Sequence, residues 1–348
     1  MKLATYKDGS RDGQLVVVSR DLSTAHFANG IAGRLQLVLD DWNFLSPQLQ
    51  DLYTTLNQGK ARHAFAFEPA KCMAPLPRAY GWLQAEAWPT LAQRVQGAEA
   101  PAEPVLLQGA SDDFLGPCDD AWFGSAAWQI DFGAGLAAIT GDVGMGASAE
   151  QGLDGVRLLM LANLWRLRGL APLAHALPAA AFAPVAVTPD ELGEAWAGGR
   201  VQLPLSVTAA GRKLGVCEAG AGMAWHFGQL IAQAAKTRNL RAGCVLGAGP
   251  LSDPDTRHGV ACLAEKRALE ATQHGEPRSP WLQLGDTVKL EMKGRDGETV
   301  FGPLAQRVTG PGMAAEERDA DAGTDSVEAG DAAPAGVPST DSAPGADA

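Results

Sequence analysis

The spacing of apolar positions changes character along the chain. Leu15-Val16-Val17-Val18-Ser19 is a short unbroken apolar run and reads as a strand. From Gly30 to Phe44 apolar residues recur at helical spacing, carried by Ile31, Leu35, Leu37, Val38 and Trp42. Ser46 then stands where a helix cap belongs, ahead of a second amphipathic stretch from Pro47 to Leu56. From Arg78 to about Val308 strand patterns dominate. The candidates are 127–131, 136–140, 201–207, 288–292 and 299–302. Two turn signals join strand-like neighbours: Ala209-Ala210-Gly211-Arg212 and Arg295-Asp296-Gly297-Glu298. The strongest helical patterns here are 152–167 and 225–235. In the second, Phe227, Leu230, Ile231 and Ala234 share one face.

These patterns divide the chain of 348 residues into three parts. Residues 1–74 read as a small α+β domain, and Pro75-Leu76-Pro77-Arg78 reads as a connector. Residues 75–312 form the main domain. The fold class expected is α+β and β-rich, in keeping with 41 glycines and 22 prolines. Residues 313–348 lack aromatic residues and carry only Met313, Val327 and Val337 as large apolar side chains. Such a segment buries too little surface to offset its ordering entropy, so a disordered acidic tail is expected.

Charge adds little beyond that tail. The formal net charge is −12, but the tail holds nine acids against Arg318 alone, leaving the body near −4. No cluster of Lys and Arg marks a nucleic-acid surface. No apolar run reaches membrane-spanning length, and the N-terminus lacks the apolar core of a signal peptide. A cytoplasmic protein is expected. Cys72, Cys118, Cys217, Cys244 and Cys262 are odd in number and never paired as CxxC, so neither a disulfide framework nor a thiolate zinc site is expected.

Candidate chemistry is sparse. Asp112-Asp113 and Asp119-Asp120 read as loop and turn acids rather than a metal cluster. Gly247-Ala248-Gly249 lacks the strand-and-helix context of a phosphate loop and reads as a tight turn. Ser111 and Ser125 have no nucleophile-elbow context. His226 lies beside an apolar helical stripe and reads first as a hydrogen-bonded structural histidine.

Several blocks together resemble one family. They are Ser111-Asp112-Asp113-Phe114-Leu115-Gly116-Pro117, then Ile130-Asp131-Phe132-x-Ala134-x-Leu136 running on to Ile139-Thr140-Gly141-Asp142. After these come Ala181-Phe182-Ala183-Pro184-Val185-Ala186-Val187-Thr188-Pro189, His226-Phe227-Gly228-Gln229-Leu230-Ile231 and Lys236-Thr237-Arg238-Asn239-Leu240-Arg241-Ala242-Gly243. In this order and spacing the chain resembles the fumarylacetoacetate hydrolase family over most of residues 1–310. The opening Lys7-Asp8-Gly9-Ser10-Arg11-Asp12-Gly13-Gln14-Leu15 is similar to that of bacterial members.

The resemblance implies a mixed β-roll with a small N-terminal domain, usually dimeric. It implies a hydrolase, acting on C–C bonds in β-diketo or 2-oxo acids, of the kind used in aromatic compound catabolism. In the family a Mg²⁺ or Ca²⁺ ion holds the substrate oxygens, and hard ions of this kind want carboxylate oxygens. A Glu-x-Glu strand and a later Asp supply them. A histidine serves as base, and a lysine and a late threonine contact substrate.

This sequence departs from that pattern where the chemistry lies. Gly133-Ala134-Gly135 stands at Glu-x-Glu, and Leu164 follows Asn163 in place of the Asp. No histidine lies between His63 and His175, although the base belongs near Trp88-Pro89-Thr90-Leu91. The lysine segment reads Ala174-His175-Ala176-Leu177-Pro178-Ala179-Ala180, and the late Gly-Thr reads Gly249-Pro250. Gly133, Gly135 and Leu164 thus stand at ligand positions without a side-chain ligand, so no metal is expected. Asp131, Asp142 and His226 are the remaining candidates for rebuilt chemistry, with Mg²⁺ or Ca²⁺ as cofactor if a site were rebuilt. The expected role is a pseudoenzyme of the family, as a homodimer or paired with an active paralogue. The alternatives are an active hydrolase or tautomerase with a relocated or metal-independent site, and a carboxylic-acid-binding module using Arg168 or Arg238.

Overall fold

A computed structural model describes residues 1–313. Residues 1–311 form one compact unit built on two large sheets, with two small two-stranded ladders beside them. The larger sheet has eleven strands. From one edge its order is Phe65–Ala66, Thr24–Phe27, Gln14–Val18, Lys2–Tyr6, Ala186–Val187, Val156–Asn163, Ala134–Thr140, Cys244–Pro250, Gly81–Ala85 and Leu106–Gly109, with Ala181–Phe182 pairing off this path. The second sheet orders Arg212–Glu218, Pro204–Ala209, Thr287–Met292, Leu304–Thr309 and Ala121–Trp122. The fold is mixed and strand-rich, as expected.

The first strand ties the N-terminal segment to the rest. Lys2 and Leu3 pair with Val187 and Ala186 across an antiparallel ladder. The sheet therefore runs from the N-terminal strands into the middle of the main domain without a break. Its central strands are buried on both faces. Along Ala134–Thr140, Leu136 and Ala138 join one core cluster, while Ala137 and Ile139 join another. The second cluster takes in Leu35, Val38 and Leu39 of helix Leu35–Asp40 and Leu49, Tyr53 and Leu56 of helix Trp42–Asn57.

Some local expectations fail. The helical reading of 152–167 gives way to a short helix, Ala149–Asp154, followed by strands Val156–Asn163 and Arg166–Leu167. A strand buried on both faces has no alternation to display, so its apolar run resembles a buried helix. Ser46 is no cap, because the helix already starts at Trp42 with Asp41 before it and carries Pro47 inside. The turn at 295–298 is present and is closed by the bridge Lys293–Thr299 and the bond from Val300 N to Met292 O, but 299–302 forms no strand, and the strand that pairs with Thr287–Met292 is Leu304–Thr309. Of 127–131, only Ile130–Asp131 is extended, after a 3-10 turn at Ala126–Trp128. The hairpin at Ala210-Gly211 is present, with both φ values positive (48° and 71°), as a two-residue turn of type I′ requires. The tail, beyond Met313, lies outside the described residues.

Candidate functional site

The strand ladder brings together positions far apart in sequence. Asn163 pairs with Ala134, so Leu164 follows directly beside Gly133. Gly135 pairs with Pro250 on the other side, after a register shift between Gly247 and Pro250. The backbones approach so closely here that side chains are excluded. A Cβ on Gly133 would lie 2.7 Å from Pro250 Cγ and 3.0 Å from the Leu164 carbonyl oxygen. A Cβ on Gly135 would strike the Gly249 carbonyl oxygen. Gly249 itself has φ +96°, a conformation open to glycine, and faces the Ala85 carbonyl.

Beside this contact lies a small cleft of about 50 Å³. Its lining includes Leu164, Pro250, Glu86, Trp88, Leu91 and Arg166. Gln84 and Arg168 complete its polar surface, and helix Pro89–Gln96 forms one wall through Leu91, Ala92 and Val95. Positions singled out at sequence level for ligands, base and late threonine thus converge on one place. None of Gly133, Gly135, Leu164 or Pro250 offers a side-chain oxygen. Among the described residues no group of three or more His, Cys, Asp and Glu side chains gathers to hold a metal ion. A hard divalent cation does not fit this donor set.

Asp131, Asp142 and His226 are not brought together. Asp131 is fully buried. Its carboxylate accepts hydrogen bonds from the backbone of Phe132 (2.9 Å), Leu263 (2.8 Å) and Ala264 (3.1 Å), and from Arg168 Nε (3.0 Å). Arg168 Nη2 adds an ion-pair contact at 3.0 Å. The side chain thereby holds the N-terminus of helix Leu263–His274, where a negative charge is favoured. Burial pushes its pKa up, and Arg168 and the backbone donors oppose that shift. Asp142 lies past the other end of Ala134–Thr140, a strand of seven residues, or roughly 20 Å at strand rise. It is exposed and accepts a bond from Ala242 N at 3.1 Å. His226 caps helix Phe227–Ala234, its Nδ1 accepting from Gly228 N at 3.2 Å. Burial, with Arg200 nearby, holds its pKa below the usual histidine value. Arg238 lines a separate hollow with Gln108 and Cys244.

Other polar groups carry the architecture behind the cleft. Arg94, on helix Pro89–Gln96, pairs with Glu265 at 2.7 Å and donates to the Asp253 and Pro254 carbonyls. Ser252 Oγ donates to the same Glu265 oxygen at 2.5 Å. The other oxygen, Oε2, is buried without a hydrogen-bond partner, and burial pushes the Glu265 pKa up. Asn163, the retained half of the Asn-Asp pair, accepts from Gly133 N and donates to Gln306. Arg166 is the exception: it makes no side-chain hydrogen bond or ion pair among the described residues. None of these pairings is visible in linear sequence. Sequence alone does not single out Arg166; its place beside Arg168 in Leu164-Trp165-Arg166-Leu167-Arg168 is the only local signal it carries.

Comparison with known proteins finds two family models in tandem. "Fumarylacetoacetase N-terminal domain 2" matches residues 1–78, and "Fumarylacetoacetate (FAA) hydrolase C-terminal" matches residues 82–309. No curated protein sequence matches the chain. Among solved structures, maleylpyruvate hydrolase from Sphingobium sp. SYK-6 is 14% identical with a TM-score of 0.63, covering 89% of this chain and 100% of its own. The same enzyme in complex with manganese (II) ion and pyruvate has a TM-score of 0.61 at 14% identity, covering 89% and 99%. Fumarylacetoacetate hydrolase from psychrophilic Exiguobacterium antarcticum is 16% identical with a TM-score of 0.63, covering 89% and 99%. With the larger model spanning well over half of its length, the chain belongs to the fumarylacetoacetate hydrolase family.

Proposed function

We propose that this chain is a member of the family that has given up metal-dependent hydrolysis and persists as a non-catalytic subunit. The observation that carries this reading is the contact of Gly133 and Gly135 with Pro250 and Gly249. The ligand positions lack oxygens, and the space a liganding side chain would cross is also filled. The neighbour in complex with manganese and pyruvate sets the contrast: a divalent ion bound beside a substrate can stabilise charge developing on its oxygens. A cytoplasmic subunit of this kind would work as a homodimer or beside an active paralogue.

Calorimetric titration of the metal-stripped protein with Mg²⁺, Mn²⁺ and Ca²⁺ tests the reading, together with an acylpyruvate turnover assay in Mn²⁺. The expected result is no stoichiometric binding at millimolar metal and no turnover above the buffer rate. Stoichiometric binding accompanied by turnover would sink the proposal.

A further inference from the structure

Arg166 presents a problem that the preceding reading leaves open. A guanidinium cannot be neutralised by losing its proton, so a half-buried one is expected to find an acceptor. Its neighbour Arg168 has found Asp131. Arg166 has no such partner, although it lines the cleft between helix Pro89–Gln96 and Leu164. Glu86 lines the same cleft, and no ion pair within 4.0 Å joins the two. A cation and an acid therefore share a small hollow without touching. Trp88, Leu91 and Val95 supply apolar wall.

We propose that this cleft binds a two-carbon carboxylic acid whose carboxylate rests on Arg166 and whose adjacent hydroxyl group donates toward Glu86. The proposal rests on the preceding reading, since a divalent cation beside Leu164 would repel the guanidinium. Size agrees with the chemistry. A cleft of about 50 Å³ exceeds the roughly 10–15 Å³ that a single water needs but admits only a ligand of a few heavy atoms, such as glycolate. A planar carboxylate matches the guanidinium fork, whereas a spherical anion meets one edge of it. Burial and the charge of Arg168 lower the pKa of Arg166 against the weaker opposing pull of Glu86 and Asp131, and an anion in direct contact would oppose both lowering effects.

The test is calorimetry of the metal-free protein with sodium glycolate, with acetate and chloride at equal ionic strength as controls. Expected is stoichiometric glycolate binding with Kd of about a millimolar, acetate roughly tenfold weaker, and no response to chloride. Arg166→Met should abolish binding and Arg166→Lys should weaken it by about tenfold. Glu86→Gln should narrow the preference for glycolate over acetate. A second reading needs no ligand: Arg166→Met should raise Tm, because it removes an unpaired half-buried charge, whereas loss of a merely structural arginine lowers Tm. No glycolate binding to the wild-type chain, binding unchanged in Arg166→Met, or a lowered Tm in that variant would each overturn the proposal. The metal titration is a separate readout, so metal binding without glycolate binding and the converse identify which idea has failed.

Discussion

At the scale of the residue, Asp131 and Arg166 are opposite cases. Asp131 was a natural candidate for chemistry, because it lies two residues before Gly133. In the fold every donor around it is structural, and its oxygens are saturated. Asp131→Asn should therefore act on stability. It would leave Arg168 largely buried without a counter-charge and weaken the start of helix Leu263–His274. Breaking a buried pair in this way costs about 3–5 kcal/mol. The unfolding midpoint in urea checks it, and a loss below about 1 kcal/mol would show that water compensates the pair. Roles of this kind are hard to read in advance. A sequence shows that an acid is present, but whether its lone pairs are free depends on partners such as Leu263 and Ala264, which lie far along the chain.

At the scale of the element, legibility followed burial. The strand at 204–209 alternates buried and half-buried positions, and its period was readable. The strand Val156–Asn163 is buried almost throughout and was mistaken for a helix. Turn chemistry was legible where backbone conformation decides it, as at Ala210-Gly211. The meeting of Gly133, Gly135, Leu164 and Pro250 was legible only through resemblance, since each is an ordinary small or apolar residue in or beside its strand. Their packing leads to a definite expectation for repair. Gly133→Glu with Gly135→Glu should restore neither Mn²⁺ binding nor turnover, and should lower Tm, because a Cβ at Gly135 meets a neighbouring backbone carbonyl rather than a yielding side chain. Metal titration of the double variant checks this; stoichiometric Mn²⁺ binding would show that the strands separate easily.

At the scale of the whole molecule, the pairing of Lys2–Tyr6 with Ala186–Val187 makes the N-terminal segment part of the main sheet. The β-rich class was readable from glycine, proline and strand spacing. The continuity of the sheet was not, because a pairing between residues 3 and 186 leaves no local trace. Both core clusters also draw on N-terminal strands: Val16 and Val18 on one face, Leu15 and Val17 on the other. Residues 1–313 should unfold in one transition, with tryptophan fluorescence and far-ultraviolet circular dichroism giving the same midpoint. Two separated transitions would mean that the first 74 residues fold on their own.

The contact between Gly135 and Gly249 has a further meaning for the history of such a chain. Carboxylates can be lost one at a time, since each change to glycine removes atoms. Return is not the same path reversed. With Pro250 and the Gly249 carbonyl seated against these glycines, any single side chain placed at Gly133 or Gly135 arrives in a collision. The close-packed ladder works as a ratchet. If the proposed loss of ligands occurred, the forward step was easy, whereas every one-step reversion is less fit to fold than the chain it starts from.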